Sequence, residues 1–262
     1  MAWDARNSWN VDMVQPVNRL CSLNRGLQGW WLGIPGITGG RRFIDIWNPG
    51  PNGNHGALTN MDPATDWVAS SRGGRALDFD GGNQYVRVGA ISSLQTSHVT
   101  TSVWVYFYST ALQMNFFEHQ GYVVFKPTTQ NIVVFFNSDN RGSAAAAIVA
   151  GRWYHVATTY DKVNVRIYID GVLRGLGYQT AALSYSGFTD FGGTGTTNNL
   201  DGLLDDARIF NRALTASEVE AVFHDSLQGY PRTLRRMGRV IFPAAVVGFA
   251  GKSHIIGGGM VA

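Results

Sequence analysis

The sequence predicts an all-β protein whose short antiparallel strands form a sandwich or a barrel. Composition is the first reason: 32 glycines, 12% aromatic residues and only 15% charged residues suit strands and tight turns better than a helical bundle. Second, β-branched and aromatic runs return about every 8–12 residues, with turn signals between them. Third, apolar and polar residues alternate within 75–89, as they do in a half-buried strand.

Length and charge bound the domain organisation. A chain of 262 residues with a hydrophobic fraction of 45% suits one large β domain with extensions, or at most two small domains. The net charge is +3. Residues 225–262 contribute +4 (five basic residues less one acidic residue), which leaves −1 for the remainder. The domain itself is therefore near neutral, and we expect no nucleic-acid partner.

Redox and targeting signals are few. Cys21 is the only cysteine, so no disulfide within the chain is expected. The chain starts without an apolar signal core, so we expect no secretory signal peptide. The longest apolar stretch, 240–251, has about 12 residues and includes Pro243, whereas a membrane-spanning helix needs about 20. The sequence thus predicts no membrane partner.

The elements follow in chain order. Residues 1–26 show no clean period, and Trp3 and Trp9 are expected to pack on the domain or on a partner. Strands are expected at 29–34, 75–80, 85–88, 100–110, 122–127, 131–137, 144–150 and 203–210, with a hairpin of 153–161 and 165–175. The residues that we predict to be buried in these strands are Trp104, Phe135, Trp153 and Ile167.

A short helix is predicted after the last strand. Thr215 is its N-cap, and Glu218 stands three residues later, which is the spacing of a capping box. Val219, Val222 and Phe223 give the helix one apolar side. We expect this side to cover an edge of the sandwich.

Four segments together resemble the laminin-G-like, concanavalin A-like family. They are 26–31 with 53–58, then 76–88, 151–175 (with W-x-H-V-A and an Asp-Gly turn) and 200–223 (with N-R-A-L before the helix). The resemblance implies a two-sheet antiparallel jelly-roll sandwich over 27–224, flanked by an N-terminal arm (1–26) and a C-terminal tail (225–262). It also implies binding of carbohydrate or protein, often with a calcium ion.

The sequence departs from this family at the calcium site. Asn83 and Gln84 stand where the family has an acidic pair, and calcium needs charged oxygen ligands. Asp205 keeps the family's aspartate, with Asp206 beside it, and is the candidate calcium ligand. The alternative is a turn aspartate that accepts backbone amides. No other cofactor is expected, and His155 is interpreted as a structural histidine.

A carbohydrate site on this architecture would use amide side chains and aromatic faces in the loops. The candidates are Asn83, Gln84, Tyr85, Asn137, Asp139, Asn140 and Arg141. Polar residues are common in the hairpin turns of any sandwich, so the alternative is that they only shape turns.

Catalysis is not expected from the sequence. Glycosidases of this architecture need two carboxylates about 5–9 Å apart. Glu118 has no acidic neighbour two or four residues away, and the other two glutamates, Glu218 and Glu220, lie in the predicted helix. Cys21 has no adjacent histidine, and the six histidines form no metal-binding motif. The prediction is that the chain is not an enzyme; a glycoside hydrolase is the least favoured alternative.

The segment from residue 23 to 67 resembles laminin-G-like proteins of tailed phages and prophages. The function that this favours is a non-catalytic virion structural protein, such as a capsid decoration protein. Its partners would be capsid or other virion proteins, its own copies in a homo-oligomer, and host-surface carbohydrate. The residues expected to contact partners are Trp3, Trp9, Arg232, Arg235, Arg236, Arg239, Phe242 and Phe249. The alternative is a carbohydrate-binding, lectin-like or adhesion module located outside the cell or on its surface.

Overall fold

Two antiparallel sheets pack face to face in the computed structural model of this chain. The structure describes residues 21–33, 40–48, 52–94, 98–119, 122–136, 139–144, 147–180 and 187–226. Each sheet has eight strands, and one helix of 11 residues follows them. The predicted all-β, two-sheet antiparallel sandwich is confirmed. The contact residues expected in the arm and the tail, from Trp3 and Trp9 to Phe249, lie outside the described residues.

The strands follow the chain with short connections. They are β1 (Leu27–Trp31), β2 (Arg42–Phe43), β3 (Gly56–Thr59), β4 (Trp67–Ala69), β5 (Arg75–Asp80), β6 (Tyr85–Val88), β7 (Val99–Phe107), β8 (Met114–His119), β9 (Tyr122–Lys126), β10 (Ile132–Phe136), β11 (Asp139–Ala144), β12 (Trp153–Tyr160), β13 (Asn164–Ile169), β14 (Val172–Tyr178), β15 (Thr189–Phe191) and β16 (Asp201–Phe210). The helix is α1 (Ala216–Ser226), and a turn of 3₁₀ helix spans Ser22–Asn24.

The two sheets draw their strands from distant parts of the chain. Sheet A has the order β14-β13-β12-β7-β16-β5-β4, and β1 also pairs with β16. Sheet B has the order β11-β10-β9-β8-β15-β6-β3-β2. Neighbouring strands are therefore often far apart in sequence, as β15 is from both β8 and β6.

The core lies between the inner faces of the sheets. Val103, Val105 and Phe107 of β7 point into this core from alternate positions, because successive side chains of a strand point to opposite faces. Phe107 meets Phe116 of sheet B edge to face, with ring centroids 6.0 Å apart. Together with the other inward residues they form one apolar cluster that joins both sheets.

Two of the four burial predictions are confirmed and two are wrong. Trp104 and Ile167 are 5% and 0% exposed, as expected. Trp153 and Phe135 are half-buried and lie on the outer faces. The reason is strand parity: Tyr154 and Val156 occupy the inner face of β12, so Trp153 must point outward. Its indole Nε1 donates to Ser71 Oγ at 3.1 Å instead.

The predicted hairpin, its following turn and the predicted capping box are all present. Strands β12 and β13 pair as the expected hairpin, and β13 turns into β14 at Asp170-Gly171, where both residues have positive φ (52° and 78°). At the helix start, Thr215 N donates to Glu218 Oε2 at 2.9 Å, and Glu218 N donates to Thr215 Oγ1 at 3.3 Å. The capping box is therefore present.

Helix α1 covers a face and not an edge, which differs from the expectation. Val219 and Val222 are buried in a second apolar cluster on the outer face of sheet A, with Trp30, Tyr168 and Phe210. Within the described residues, no helix is long and apolar enough to cross a membrane.

Candidate functional site

A row of charged side chains crosses the outer face of sheet B. Glu118 of β8 pairs in register with Asp190 of β15, and Asp190 pairs with Arg87 of β6. Inward residues such as Phe117, Phe191 and Val86 alternate with them, so all three charged side chains project away from the core. The row continues to Val123 on β9 in one direction. This sheet face therefore presents two carboxylates and a guanidinium side by side.

Asp190 and Arg87 form the fixed part of this row. Arg87 Nε and Nη2 donate to the two carboxylate oxygens of Asp190 at 2.9 and 2.8 Å, a bidentate pair. The Asp190 side chain is 5% exposed and that of Arg87 is 34% exposed. This hydrogen bonding raises the pKa of Arg87 above its usual value. The Arg87 side chain is thus fixed by Asp190 while about a third of it stays exposed to solvent.

Two aromatic rings contact the Arg87 guanidinium. Its carbon atom Cζ lies 4.9 Å from the ring centroid of Tyr85 and 4.3 Å from that of Phe188. Phe188 is 53% exposed, so its ring is accessible to a bound molecule. The row therefore ends in an apolar surface beside a cation.

Glu118 is the carboxylate that remains available in this row. It is half-buried, and its carboxylate forms no hydrogen bond within the part of the chain that the structure describes. Burial, and then the charge of Asp190, raise the pKa of Glu118, while Arg87 opposes the shift. Such a carboxylate can accept hydrogen bonds from a bound molecule without first breaking an internal one.

Only one of the loop residues predicted for a carbohydrate site contributes to this row. Tyr85 contacts Arg87, whereas Asn83 and Gln84 hold their own loop. The Asn83 carbonyl accepts from Asn60 Nδ2, and the Gln84 side chain accepts from Asp80 N and donates to Asp66 Oδ2, all at 3.0 Å. These contacts are those of turn-shaping residues.

The second half of the predicted carbohydrate site lies at the other edge of sheet B. Asp139, Asn140 and Arg141 belong to β11, and Asn137 lies outside the described residues. Strand β11 stands five positions from β6, which is about 24 Å at 4.8 Å per strand. The predicted residues therefore do not converge on one compact site.

Sequence reasoning missed Asp190, Arg87 and Phe188. The sequence pattern that could have identified these residues lies in segments 85–88 and 188–191, where a charged residue alternates with apolar ones. Such alternation places Arg87 and Asp190 on the outer face of their strands. Their partnership with Glu118 could not be found, since it depends on pairing across 72 positions of the chain. A search for neighbours two or four residues away finds only partners within one strand.

Asp205 lies in a buried ionic layer beneath helix α1. Its Oδ2 accepts from Arg72 Nη1 at 2.9 Å, and its Oδ1 accepts from the backbone amides of Gly33 and Asp206 at 3.2 and 2.8 Å. Both oxygens are thus in use, and a calcium ion would have to displace Arg72. Within the described residues, no group of three or more His, Cys, Asp or Glu side chains is placed to hold a metal ion. Calcium at Asp205 stays a prediction, and this geometry disfavours it.

His155 occupies the same layer. It is fully buried, and its Nε2 lies 2.8 Å from Ser102 Oγ. Burial lowers the pKa of His155 to about 3, so the imidazole is neutral at physiological pH. Its position, closed off from solvent, is that of a structural histidine.

Solved structures with a similar fold include enzymes and a receptor-binding domain. A Trypanosoma rangeli sialidase in complex with 2,3-difluorosialic acid matches with a TM-score of 0.57 and 13% identity, covering 78% of this chain and 33% of that chain. The receptor binding domain of botulinum neurotoxin C/D mosaic serotype matches with a TM-score of 0.58 and 13% identity, covering 79% and 55%. This chain thus spans about a third of the sialidase and about half of the toxin domain. A search among curated proteins returns no significant match.

The prediction that the chain is not an enzyme is contradicted by these comparisons. The same fold occurs within sialidase chains, at 12–16% identity over 33% of their length, so the fold gives no ground for excluding catalysis. At that identity the likeness shows the fold alone. The sequence alone leaves Glu118 without an acidic neighbour, whereas in the fold Asp190 lies next to Glu118 across the strand pair.

A family model confirms the resemblance found from sequence motifs. The model of the concanavalin A-like lectin/glucanases superfamily, in its laminin-G form, matches residues 80–220, which is 141 of 262 residues. The matched segment includes Arg87, Glu118 and Asp190 and all strands from β6 to β16. This chain therefore belongs to the concanavalin A-like lectin/glucanases superfamily.

Proposed function

We propose that this chain is a carbohydrate-binding module whose binding surface is the outer face of sheet B. The observation that carries the proposal is the row of Glu118, Asp190 and Arg87 with exposed Phe188 at its end. A carboxylate and a guanidinium side by side can accept from and donate to the vicinal hydroxyls of one sugar. The exposed aromatic ring offers a flat apolar surface for the C–H face of a pyranose.

The flat position of the charged row on sheet B favours ligand binding on an open surface over binding in a closed pocket. The charged row lies flat on the sheet, so its ligand would be an extended glycan that contacts several strands at once. Asp190 is held rigidly by Arg87, and Arg87 by two rings, so little side-chain entropy is lost on binding. The similar toxin domain is described as receptor binding, which accords with a recognition role.

The test is binding of the full chain to an array of host-wall and cell-surface glycans, followed by titration calorimetry with the best ligand. Glu118→Gln removes one charge and keeps the shape, and we expect it to weaken binding about tenfold or more. Glu220→Gln is the matched control, because Glu220 is exposed on helix α1, away from sheet B. Equal weakening in both variants, or none in Glu118→Gln, would remove this face from consideration. Cleavage of the bound glycan that Glu118→Gln abolishes would favour the glycoside hydrolase alternative.

We propose as a second candidate that the chain is a virion structural protein that assembles with its own copies and with capsid proteins. One observation favours it: β14 is an edge strand of sheet A and carries exposed apolar side chains. Leu173, Leu176 and Tyr178 are 48%, 64% and 66% exposed and share one face of that strand. An apolar edge strand is a surface on which another strand can pair.

Assembly through β14 is tested by sedimentation of the full chain. Leu176→Lys places a charge on the edge, and we expect it to shift an oligomer toward monomer. Leu112→Lys is the control, since Leu112 is 68% exposed and lies outside β14. A monomeric wild-type chain, or equal effects of both substitutions, would count against this surface. Capsid and portal genes beside the coding sequence would support the virion assignment.

A further inference from the structure

A second polar surface, unrelated to the row on sheet B, lies on the outer face of sheet A. Three aromatic side chains meet there: Tyr106 contacts Tyr108 and Trp153 edge to face, with ring centroids 5.6 and 5.7 Å apart. Two of them sit on neighbouring strands, because Trp153 of β12 pairs in register with Tyr106 of β7. Tyr108 is 46% exposed. We call these residues, with the aspartates described next, the acidic aromatic patch.

Three aspartates adjoin the aromatic side chains. Asp78 of β5 pairs with Leu203 of β16, and Leu203 pairs with Tyr106 of β7. Two residues away on β16, Asp201 pairs with Asp80 of β5. Burial, and then the charge of Asp78, raise the pKa of the Tyr108 hydroxyl above its usual value. No ion pair to Asp78, Asp80 or Asp201 is found within the described part of the chain. Burial, and then the neighbouring aspartates, raise the pKa values of Asp78 and Asp201. Among the described residues this acidic surface therefore has no cationic partner of its own.

The described chain ends close to this patch. Ser226, the last residue of α1, accepts from Trp104 Nε1 at 2.9 Å through its hydroxyl, and its carbonyl accepts from Arg72. Trp104 is two residues before Tyr106 on the same face of β7. Arg72 stacks on Trp104 at 3.9 Å and lies 5.5 Å from the ring centroid of Trp153. Whatever follows Ser226 therefore starts beside the aromatic end of the patch.

The next part of the sequence has the complementary charge. Residues 227–239 contain four arginines and no acidic residue. Arg232 is six residues after Ser226, a reach of up to about 20 Å at 3.3 Å per residue. The distance from Trp104, which Ser226 contacts, to Tyr108 at the far side of the patch is about 13 Å at 3.3 Å per residue. The chain after Ser226 is therefore long enough for the arginines at 232, 235, 236 and 239 to reach the residues of the patch.

We infer that the arginine-rich segment 232–239 docks in cis on the acidic aromatic patch of its own domain. Guanidinium groups suit such a surface, because they pair with carboxylates in a bidentate manner and stack on tyrosine and tryptophan rings. Arg72 and Trp104 already show that stacking at the border of the patch. The short connection from Ser226 gives the segment a high effective concentration, so weak individual contacts suffice.

Limited digestion of the full chain with trypsin tests this docking, because trypsin cleaves after arginine. The rates of cleavage after Arg232, Arg235, Arg236 and Arg239 are followed by mass spectrometry at low ionic strength. For an effective concentration of about 1 mM and a dissociation constant of about 0.1 mM, about a tenth of the segment is undocked at any time. Asp78→Asn with Asp201→Asn should release the docked fraction and so raise these cleavage rates about tenfold. The control Glu220→Gln removes an exposed carboxylate from α1, outside the patch, and should leave them unchanged.

Two further measurements keep the inference falsifiable if the double variant folds poorly. In the wild-type chain, 0.5 M salt should raise the same cleavage rates, because it screens exposed charge pairs. Arg235→Asp with Arg236→Asp should speed cleavage after the remaining Arg232 and Arg239, because the reversed charges repel the patch. Adding Asp201→Arg should slow that cleavage again. Rates that are equal in wild type, the patch variant and high salt would overturn the docking. Protection that grows with protein concentration would overturn the cis arrangement in favour of a second copy.

Discussion

The contribution of a single residue to the free energy of unfolding depends on which face of its strand the residue occupies. Phe107 is 0% exposed between the sheets, whereas Trp153 is half-buried on the outer face, although both are large aromatic residues in neighbouring strands. We expect Phe107→Ala to lower the free energy of unfolding by about 3–5 kcal/mol. Trp153→Ala should lower it by less than about 2 kcal/mol, because most of its ring area is not core. Urea denaturation of both variants measures the difference; equal losses would contradict the assignment of faces.

His155 should make stability fall in acid. Its pKa is about 3 in the folded chain, against about 6.5 when unfolded, because burial disfavours the imidazolium. Below pH 6.5 the unfolded chain takes up a proton that the folded chain refuses, so the free energy of unfolding falls as the pH is lowered. His155→Gln should reduce that slope between pH 6 and 4 by up to about 1.4 kcal/mol per pH unit. His224→Gln, on an exposed side chain, is the control; an unchanged slope in His155→Gln would refute the buried neutral state.

At the scale of elements, α1 depends on its capping box. Thr215→Ala removes the acceptor for Glu218 N and leaves an unpaired amide in the first turn. We expect a loss of about 1 kcal/mol in the free energy of unfolding, measured in urea. Thr215→Ser keeps the hydroxyl and should lose less than half as much. If Ser and Ala behave alike, the cap contributes nothing and packing of Val219 and Val222 alone holds the helix.

The sequence predicts elements that form by local contacts, but it does not predict which distant strands pair. The hairpin at 153–175, the turn at Asp170-Gly171 and the capping box were predictable, because each depends on contacts between residues a few positions apart. The pairing of β15 with β8 and β6 was not, since 70 or more residues separate some of the partners. The carboxylate pair of Glu118 and Asp190 exists only through that pairing. A site spread over several strands therefore escapes a search along the chain.

At the scale of the whole molecule, the described fold rests on two apolar clusters, one between the sheets and one beneath α1, without support from a disulfide among the described residues. Since both oxygens of Asp205 already accept hydrogen bonds, we expect millimolar calcium to leave the melting temperature unchanged. A ligand that binds only the folded state would raise it in proportion to RT ln(1 + [L]/Kd). Thermal unfolding with calcium, with magnesium as control, and with chelator decides this. A rise specific to calcium would reinstate a metal site.

The charged row on sheet B has a consequence for how this binding face can evolve. Its three members lie on β6, β8 and β15, and loops of any length between them leave the row intact. An insertion of a single residue inside β15 has the opposite effect, because it exchanges the two faces and turns Asp190 into the core in place of Phe191. New ligand preferences should therefore arise by exchange of side chains at fixed positions, and insertions between homologues should fall in the connections and avoid these three strands.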